Sequence, residues 1–483
     1  MRDDAGIDQE LRLTSPPLRW SILAGVLLIF AVTNLPWTLD DYDQAKQAYT
    51  SFEMVQQGHW LYQHTPNEAV ATKPPLVGWI STALYEVARS WEAAWRWPSL
   101  LAALTLLLFL RREASAAYGS LAGLFAMAAF GLNLLSARLA TLVRTDMPLA
   151  LVTFLIGWLI WRKIRRGENW STRDRMILFV LLTITMLIKG PIVYAFILPG
   201  LVCYQLLRRK RGGSSAWSGW WPWILSLAIF VLWVVGGIVR QPGFYESVVL
   251  KEFAGRFTET VHKPQPIYFY LPHLLQKFAP WSLLVIGLAV VFWRRGARAQ
   301  AATLWLICWI VGGLVLMSLI PSKRVDRIFP VIPPLCLLLG AQIAAVREGE
   351  VRKIRRWLTA ALISACVFTG GYTIWKVGNS ARKGKAALVE FSREVRREAA
   401  ENHWRYEVVG GHEEGMLLYL RRDHFLAPND AVQRWQSGQL DALVVQEKLA
   451  QRLSSRLPAA KQALVSEKSG FVTRYSFFVR AAP

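Results

Sequence analysis

The chain has 483 residues, of which 53% are hydrophobic and 23 are tryptophan, a composition that excludes an ordinary soluble protein. The formal net charge is +23, but the basic residues form short clusters beside apolar runs, so contact with anionic lipid explains the charge better than nucleic-acid binding. The four cysteines all lie inside apolar runs without metal-site spacing, which excludes a disulfide framework.

Eleven apolar runs predict membrane-spanning helices. The first follows Arg12 and Arg19 and lacks a small-residue cleavage pattern, so we expect an uncleaved signal anchor. The runs cover residues 19–37, 97–110, 119–136, 147–161, 175–188, 191–207, 221–239, 281–293, 301–319, 328–346 and 357–377. The expected fold is therefore a polytopic α-helical membrane protein with about 11 to 13 transmembrane helices, some of them tilted or partly embedded.

Clusters of arginine and lysine occupy every second break between the runs. They are Arg111-Arg112, Arg162–Arg166, Arg208–Arg211, Arg294–Arg298 and Arg347–Arg356. By the positive-inside rule these clusters face the cytoplasm. The short apolar stretch Pro74–Val87 would invert this pattern as a span, so we interpret it as an interfacial helix on the outer face. The outer loops then include residues 38–96 and 240–280.

The first outer loop contains a predicted helix that stops at Gly58 and carries Asp43 and Lys46 on one face. Asp43 is placed to cap this helix, to act as a general base toward a hydroxyl, or to stabilise positive charge that develops at a sugar carbon. Lys73 precedes two prolines that direct it to the depth of the lipid headgroups. The alternative is that Lys73 has no functional role and only extends its ammonium group to the membrane interface.

Two later motifs lie at outer ends of predicted spans. Asp146 begins one span after Arg144-Thr145, where it either caps the helix or takes part in chemistry. Lys189-Gly190-Pro191 joins two spans by a turn too tight to leave the membrane surface. Lys189 is therefore suited to bind a lipid phosphate as a point charge.

The last two outer segments combine basic and aromatic residues. Arg256, His262, Tyr268 and Tyr270 lie in a loop rich in proline, a pattern that suits a phosphate joined to an apolar tail and a sugar. Neither His59/His64 nor His262/His273 makes a persuasive metal site, so the metal ligands stay unknown. Lys323 and Arg327 belong to a turn with three cations, for which a solvated loop is the alternative.

The composition changes after Val377 from lipid-like to mixed. The patterns predict helix 392–403, strand 406–410, helix 415–422, strand 440–446, helix 447–457 and strand 470–479. We therefore expect a transmembrane domain at 1–377 and a small soluble α/β domain at 378–483, on the extracytoplasmic side.

Taken in order, these segments resemble the polyprenyl-phosphate-dependent glycosyltransferases of the GT-C class, which include lipid A aminoarabinose transferase and protein O-mannosyltransferase. The matching motifs are Asp43-Gln44-Ala45-Lys46, Lys73-Pro74-Pro75, Thr145-Asp146-Met147-Pro148, Lys189-Gly190-Pro191, the loop with His262, Pro264, Tyr268 and Tyr270, and Ser322-Lys323. Gln44, Thr72 and Arg327 stand where the family has two glutamates and a tyrosine.

The resemblance implies a membrane glycosyltransferase that transfers a sugar from a polyprenyl-phosphate donor to lipid A, another envelope glycan or a protein, with inversion. It implies catalytic roles for Asp43 and Asp146, and substrate binding by Lys46, Lys73, Lys189, Arg256, His262, Tyr268, Tyr270, Lys323 and Arg327. No cofactor is required, and a divalent cation is left open. The expected location is the bacterial inner membrane, with the site on the periplasmic side.

Two alternatives of other classes stay open at this point. A transporter or flippase for lipid-linked sugars would also bind phosphate, but its path should place charges at the membrane midplane or on both faces. The apolar runs are free of such charges, which favours chemistry at the surface. A noncatalytic assembly subunit is the second alternative, and Thr72 and Arg327 favour it.

Overall fold

The computed structural model describes residues 15–39, 41–66, 69–208, 216–256, 264–296, 299–346, 351–411, 413–467 and 474–481. The chain forms two compact units. The first, here called the membrane unit, comprises Met1–Thr33, Thr72–Val77 and Arg96–Thr373. The second, here called the loop–tail unit, comprises Asn34–Ala71, Gly78–Trp95 and Ile374–Pro483.

Each of the eleven predicted runs is mostly helical. The α-helices that cover most of each run are Pro16–Val32, Trp91–Tyr118, Ser120–Gly131 with Leu134–Leu139, Asp146–Arg166, Thr172–Lys189, Ile192–Arg208, Trp221–Arg240, Trp281–Arg294, Ala301–Leu319, Ile332–Ala344 and Val351–Arg382. A π-helix covers Tyr245–Phe253, Tyr270–Lys277 is a short α-helix, and 3₁₀ turns cover Ala254–Arg256, Ile267–Phe269 and Val325–Val331. The expected polytopic helical fold is confirmed.

Six of the described helices are long and apolar enough to cross a membrane, and a seventh span results if the bent pair Ile267–Lys277 and Trp281–Arg294 counts as one. Leu76–Ala88, in the stretch expected to be interfacial, has 13 residues. It is only about 20 Å long, which is too short to cross the hydrocarbon core. The protein is thus a multi-span membrane protein.

Small residues let the membrane helices approach closely. A Cβ on Gly312 would lie 2.5 Å from the backbone nitrogen of Gly200, so the helices Ile192–Arg208 and Ala301–Leu319 touch through their backbones. Nearby, the indole N–H of Trp305 donates a 3.0 Å hydrogen bond to the carbonyl oxygen of Gly157. Close approach at small residues and hydrogen bonds between helices both favour the association of helices in lipid.

The last segment of the loop–tail unit, Ile374–Pro483, is here called the tail. It has a small α/β fold, as expected. Its sheet has the strand order Tyr406–Val409, Ala442–Gln446, Tyr475–Arg480 and Ala460–Val465, with the first pair parallel and the other two antiparallel. The tail helices are Ala387–Glu401, Glu414–Leu420, Pro428–Gln436 and Glu447–Ser454. The predicted order omits Pro428–Gln436 and the strand Ala460–Val465. Most of that strand's side chains are exposed, so it lacks the apolar alternation that marks a half-buried strand.

The loop–tail unit also contains much of the first loop. The helix Tyr42–Gln57, here called the first-loop helix, is followed by a two-stranded hairpin in which His64 pairs with Val70. The hydroxyl of Tyr49 donates to the carbonyl oxygen of Asp423, and the backbone N–H of Leu39 donates to the hydroxyl of Tyr419. The first loop, expected within a domain at 1–377, thus lies in one compact unit with the tail.

Candidate active site

The structure brings together the two charged motifs at the ends of neighbouring membrane helices. Asp146 is the first residue of the helix Asp146–Arg166, and Lys189 is the last residue of Thr172–Lys189. Lys189 Nζ donates a 2.6 Å hydrogen bond to Asp146 Oδ1, and both side chains are largely buried. Because these two helices pack antiparallel, the first residue of one lies beside the last residue of the other.

Two further cations surround Asp146. Arg144 and Lys73 both interact with its carboxylate electrostatically. Arg144 also donates a 3.0 Å hydrogen bond through Nη1 to Asp326 Oδ2, while Arg138 Nη1 donates to Asp326 Oδ1 at 3.1 Å. Four basic side chains thus surround two carboxylates, and the group has a net positive charge. We call its six members the cation cluster: Lys73, Arg138, Arg144, Asp146, Lys189 and Asp326.

The turn that contains Asp326 adds two of the predicted residues. Lys323 Nζ donates a 2.8 Å hydrogen bond to the carbonyl oxygen of Gln265, and burial lowers the pKa of Lys323. Arg327 Nη1 donates to the carbonyl oxygen of Ser322 at 2.6 Å. Asp326 lies in the same turn and pairs with Arg138 and Arg144. Lys323 and Arg327 are therefore close in sequence to a member of the cation cluster.

The predicted residues of the large outer loop do not share one environment. Tyr268 is 69% exposed, whereas Tyr270 is completely buried and its ring meets Phe269 edge-on with centroids 5.4 Å apart. Arg256 ends a 3₁₀ turn, but its side chain lies outside the described part of the chain, as does His262 altogether. Of these four, only the two tyrosines therefore have a described side-chain position.

The first-loop helix begins differently from expectation. Asp41 is its cap, because the side chain of Asp41 accepts hydrogen bonds from the backbone N–H groups of Asp43 and Gln44 at 3.1 and 3.3 Å. The capping alternative for Asp43 is therefore wrong, and Asp43 is a half-buried residue of the first turn. Lys46 lies one turn further on, with Nζ 5.9 Å from the ring centroid of Tyr42.

Sequence reasoning missed three members of the cation cluster and one group of side chains elsewhere. Arg138, Arg144 and Asp326 were not predicted as site residues, although Arg144 stands two residues before Asp146. In the loop–tail unit, Glu53, His59 and His64 converge. The spacing Glu-x₅-His-x₄-His is the one signal that the sequence offered for this group.

Comparison with known proteins finds several glycosyltransferases to which this chain is similar. Residues 72–237 match the family profile described as dolichyl-phosphate-mannose-protein mannosyltransferase. An undecaprenyl phosphate-alpha-4-amino-4-deoxy-L-arabinose arabinosyl transferase from Sodalis glossinidius is 24% identical over 62% of this chain and 54% of its own length. The counterpart from Pectobacterium carotovorum is 25% identical over 70% of this chain and 62% of its own length. The matched region thus spans little more than half of these relatives.

A solved structure shares the whole architecture. ArnT from Cupriavidus metallidurans, solved bound to undecaprenyl phosphate, superposes with a TM-score of 0.72 at 19% identity and covers 97% of this chain and 99% of its own. Such a likeness establishes the fold. The chain is therefore similar in sequence to the aminoarabinose transferases and has a GT-C-like fold, in agreement with the resemblance of its ordered motifs.

Proposed function

We propose that this protein is a membrane glycosyltransferase that moves a sugar from a polyprenyl-phosphate donor to an acceptor of the bacterial envelope, namely lipid A, another glycan or a protein. The observation that carries the proposal is the cation cluster, in which Lys73, Arg144 and Lys189 surround Asp146 at the ends of membrane helices. The names of the relatives, which specify an undecaprenyl-phosphate sugar donor, support the same reaction class.

The cation cluster supplies what a departing lipid phosphate requires. When the bond between the anomeric carbon and the phosphate oxygen breaks, the electron pair remains on the phosphate, and fixed cations stabilise the added charge. Lys189 offers a compact point charge, and Arg144 offers a planar fork suited to phosphate oxygens. Asp146 holds Lys189 in place through the 2.6 Å ion pair, so the cation does not have to be ordered during the reaction. The proposal requires no cofactor.

Asp43 supplies the base in this proposal. Its carboxylate accepts the proton of the acceptor hydroxyl while the oxygen attacks the anomeric carbon from the side opposite the phosphate. The configuration of the sugar then inverts, and the products are the glycosylated acceptor and the free polyprenyl phosphate. Asp41, two residues before Asp43, also carries a carboxylate, but that carboxylate caps the first-loop helix.

The proposed location is the periplasmic side of the inner membrane. Asp146 and the cluster Arg162–Arg166 occupy opposite ends of a 21-residue helix, which is about 30 Å long. The positive-inside rule places the arginine-rich end in the cytoplasm and hence Asp146 at the outer surface. Between its two ends the helix carries no charged residue, which favours surface chemistry over a transport path.

The deciding experiment compares Asp43→Asn with Asp41→Asn. Cells that lack the protein are complemented with wild type or either variant, and mass spectrometry follows the lipid-linked donor and the envelope glycans. Asp41→Asn retains a good helix cap and should restore transfer. Asp43→Asn should lower turnover by about 10²- to 10⁴-fold, so the donor accumulates and the glycan is lost.

Three results would contradict the proposal. If Asp43→Asn restores the glycan as well as wild type does, Asp43 is not the base. If wild type itself changes the distribution of the lipid-linked sugar across the membrane without consuming it, the protein is a transporter. Equal loss in Asp41→Asn and Asp43→Asn would mean that the helix start, and not one carboxylate, is needed.

A further inference from the structure

A second group of side chains, separate from the cation cluster in sequence and function, converges in the loop–tail unit. Glu53 lies in the last turns of the first-loop helix, His59 directly follows its C-cap Gly58, and His64 lies in the first strand of the hairpin. One donor atom from each of the three side chains lies within 4.8 Å of the other two. His59 Nδ1 contacts Glu53 Oε1 directly, and His64 Nδ1 lies 3.9 Å from the same oxygen.

The local backbone explains why these residues meet. Gly58 adopts a left-handed conformation with φ +81°, which ends the helix and turns the chain back. The backbone N–H of His64 donates a 3.4 Å hydrogen bond to Glu53 Oε2, so the carboxylate is oriented through its second oxygen. The indole N–H of Trp79 donates to the carbonyl oxygen of Trp60 at 2.7 Å and secures the loop between the two histidines.

The donor set is that of a zinc-type ion. Two imidazole nitrogens and one carboxylate oxygen suit Zn²⁺ and its transition-metal neighbours, whereas Mg²⁺ and Ca²⁺ prefer oxygen ligands alone. Ligands about 2.0–2.2 Å from zinc lie at most about 4.4 Å from one another, so three donors within 4.8 Å of one another are already near the spacing of a zinc site. The imidazole rings already have centroids 4.2 Å apart.

Glu53 is a buried carboxylate, and a buried carboxylate is stabilised by a cation. Its side chain is completely buried and contacts His59 directly. A buried carboxylate is stable only when it is paired or bound to a metal. The side chain of His59 is 41% exposed, so a metal here would be reached from solvent and would keep a coordination position for water.

We propose that Glu53, His59 and His64 bind one divalent transition-metal ion of the zinc type. The ion fastens the end of the first-loop helix to the hairpin, which ends two residues before the Thr72-Lys73 motif. The hydrogen bond from the His64 backbone acts as the outer support that such sites use to orient a ligand. The role is structural, and the inference stands apart from the proposed glycosyl transfer.

The test measures metal and not turnover. The full-length protein in detergent is stripped with a chelator, equilibrated with Zn²⁺, desalted and analysed for bound metal, and Co²⁺ is used in parallel as a spectroscopic probe. Wild type should retain one zinc ion that His59→Asn loses, with a drop in affinity of more than about tenfold. The four-coordinate Co²⁺ spectrum should disappear in the same variant. Zn²⁺ should also raise the thermal midpoint of wild type but not of His59→Asn.

His424→Asn is the matched control. Its ring is also 41% exposed and also faces a carboxylate, that of Asp423 at 2.7 Å, but it is not part of the group of three. This variant should bind zinc as wild type does. Glu53→Gln and His64→Asn extend the series, and the exposed position of His59 keeps the test valid if either buried variant fails to fold. Equal zinc retention by wild type and His59→Asn, or equal loss in His424→Asn, would overturn the proposal.

Discussion

At the scale of single residues, the same two helices carry two similar lysine–aspartate pairs. Lys189 and Asp146 meet at one end with a 2.6 Å separation, and Lys163 and Asp174 meet at the other end, also at 2.6 Å. All four side chains are largely buried. The two pairs therefore allow a comparison between a lysine that we propose to serve chemistry and one for which we propose only a role in joining the helices.

Lys189→Met should lower kcat by at least about 100-fold, because a fixed cation is lost where the leaving phosphate gains charge. Lys163→Met should leave kcat near the wild-type value. Both variants should lose stability to a similar extent, since each leaves a buried carboxylate without its lysine. Donor kinetics and thermal unfolding of the purified protein separate the two effects. Equal losses of activity in both variants would show that Lys189 acts only through helix packing.

At the scale of elements, the first-loop helix shows which local rules operate. Its stop was predicted at Gly58, and the structure confirms this because the glycine takes the left-handed C-cap conformation. Its start was assigned two residues too late. Asp41 and Asp43 both suit a helix start, and only the backbone geometry shows that Asp41 accepts the two N-terminal N–H groups.

Asp41→Ala should destabilise the loop–tail unit by about 1 kcal/mol, because two backbone donors lose their side-chain acceptor. Asp41→Asn should be close to neutral, since asparagine caps as well as aspartate. Hydrogen exchange at the amides of Asp43 and Gln44 provides the local measurement. Faster exchange in Asp43→Asn than in Asp41→Ala would contradict the assignment of the cap.

At the scale of the whole molecule, the division of the chain does not follow its order. Residues 34–71 and 78–95 form one compact unit with the tail, although about 280 residues separate them from it in the sequence. The contact is close: a Cβ on Gly415 would lie 2.8 Å from the carbonyl oxygen of Leu39. The first loop and the tail therefore have to be studied together.

Gly415→Ala should destabilise this unit by about 1–3 kcal/mol, because the added methyl group overpacks a contact with backbone that cannot rotate away. Gly378→Ala is the control in the same unit, since its Cβ would meet nothing within 4 Å. Thermal unfolding and limited proteolysis of the tail provide the measurement. An unchanged tail in Gly415→Ala would mean that this contact has no part in holding the loop.

The sequence by itself determined the helical membrane fold and the order of its motifs. Apolar runs mark spans because the lipid core excludes polar groups, and the run 301–319 coincides with the helix Ala301–Leu319. The tail was less predictable, because the strand Ala460–Val465 exposes most of its side chains and loses the signal of alternation.

Only the tertiary structure decided which charged residues meet. Lys189 reaches Asp146 across 43 residues, and Arg144 reaches Asp326 across 182, through helix packing that leaves no local pattern in the chain. The group of Glu53, His59 and His64 was missed for a different reason. Its histidines alone are too few for a metal site, and the turn at Gly58 is what brings the buried carboxylate to them.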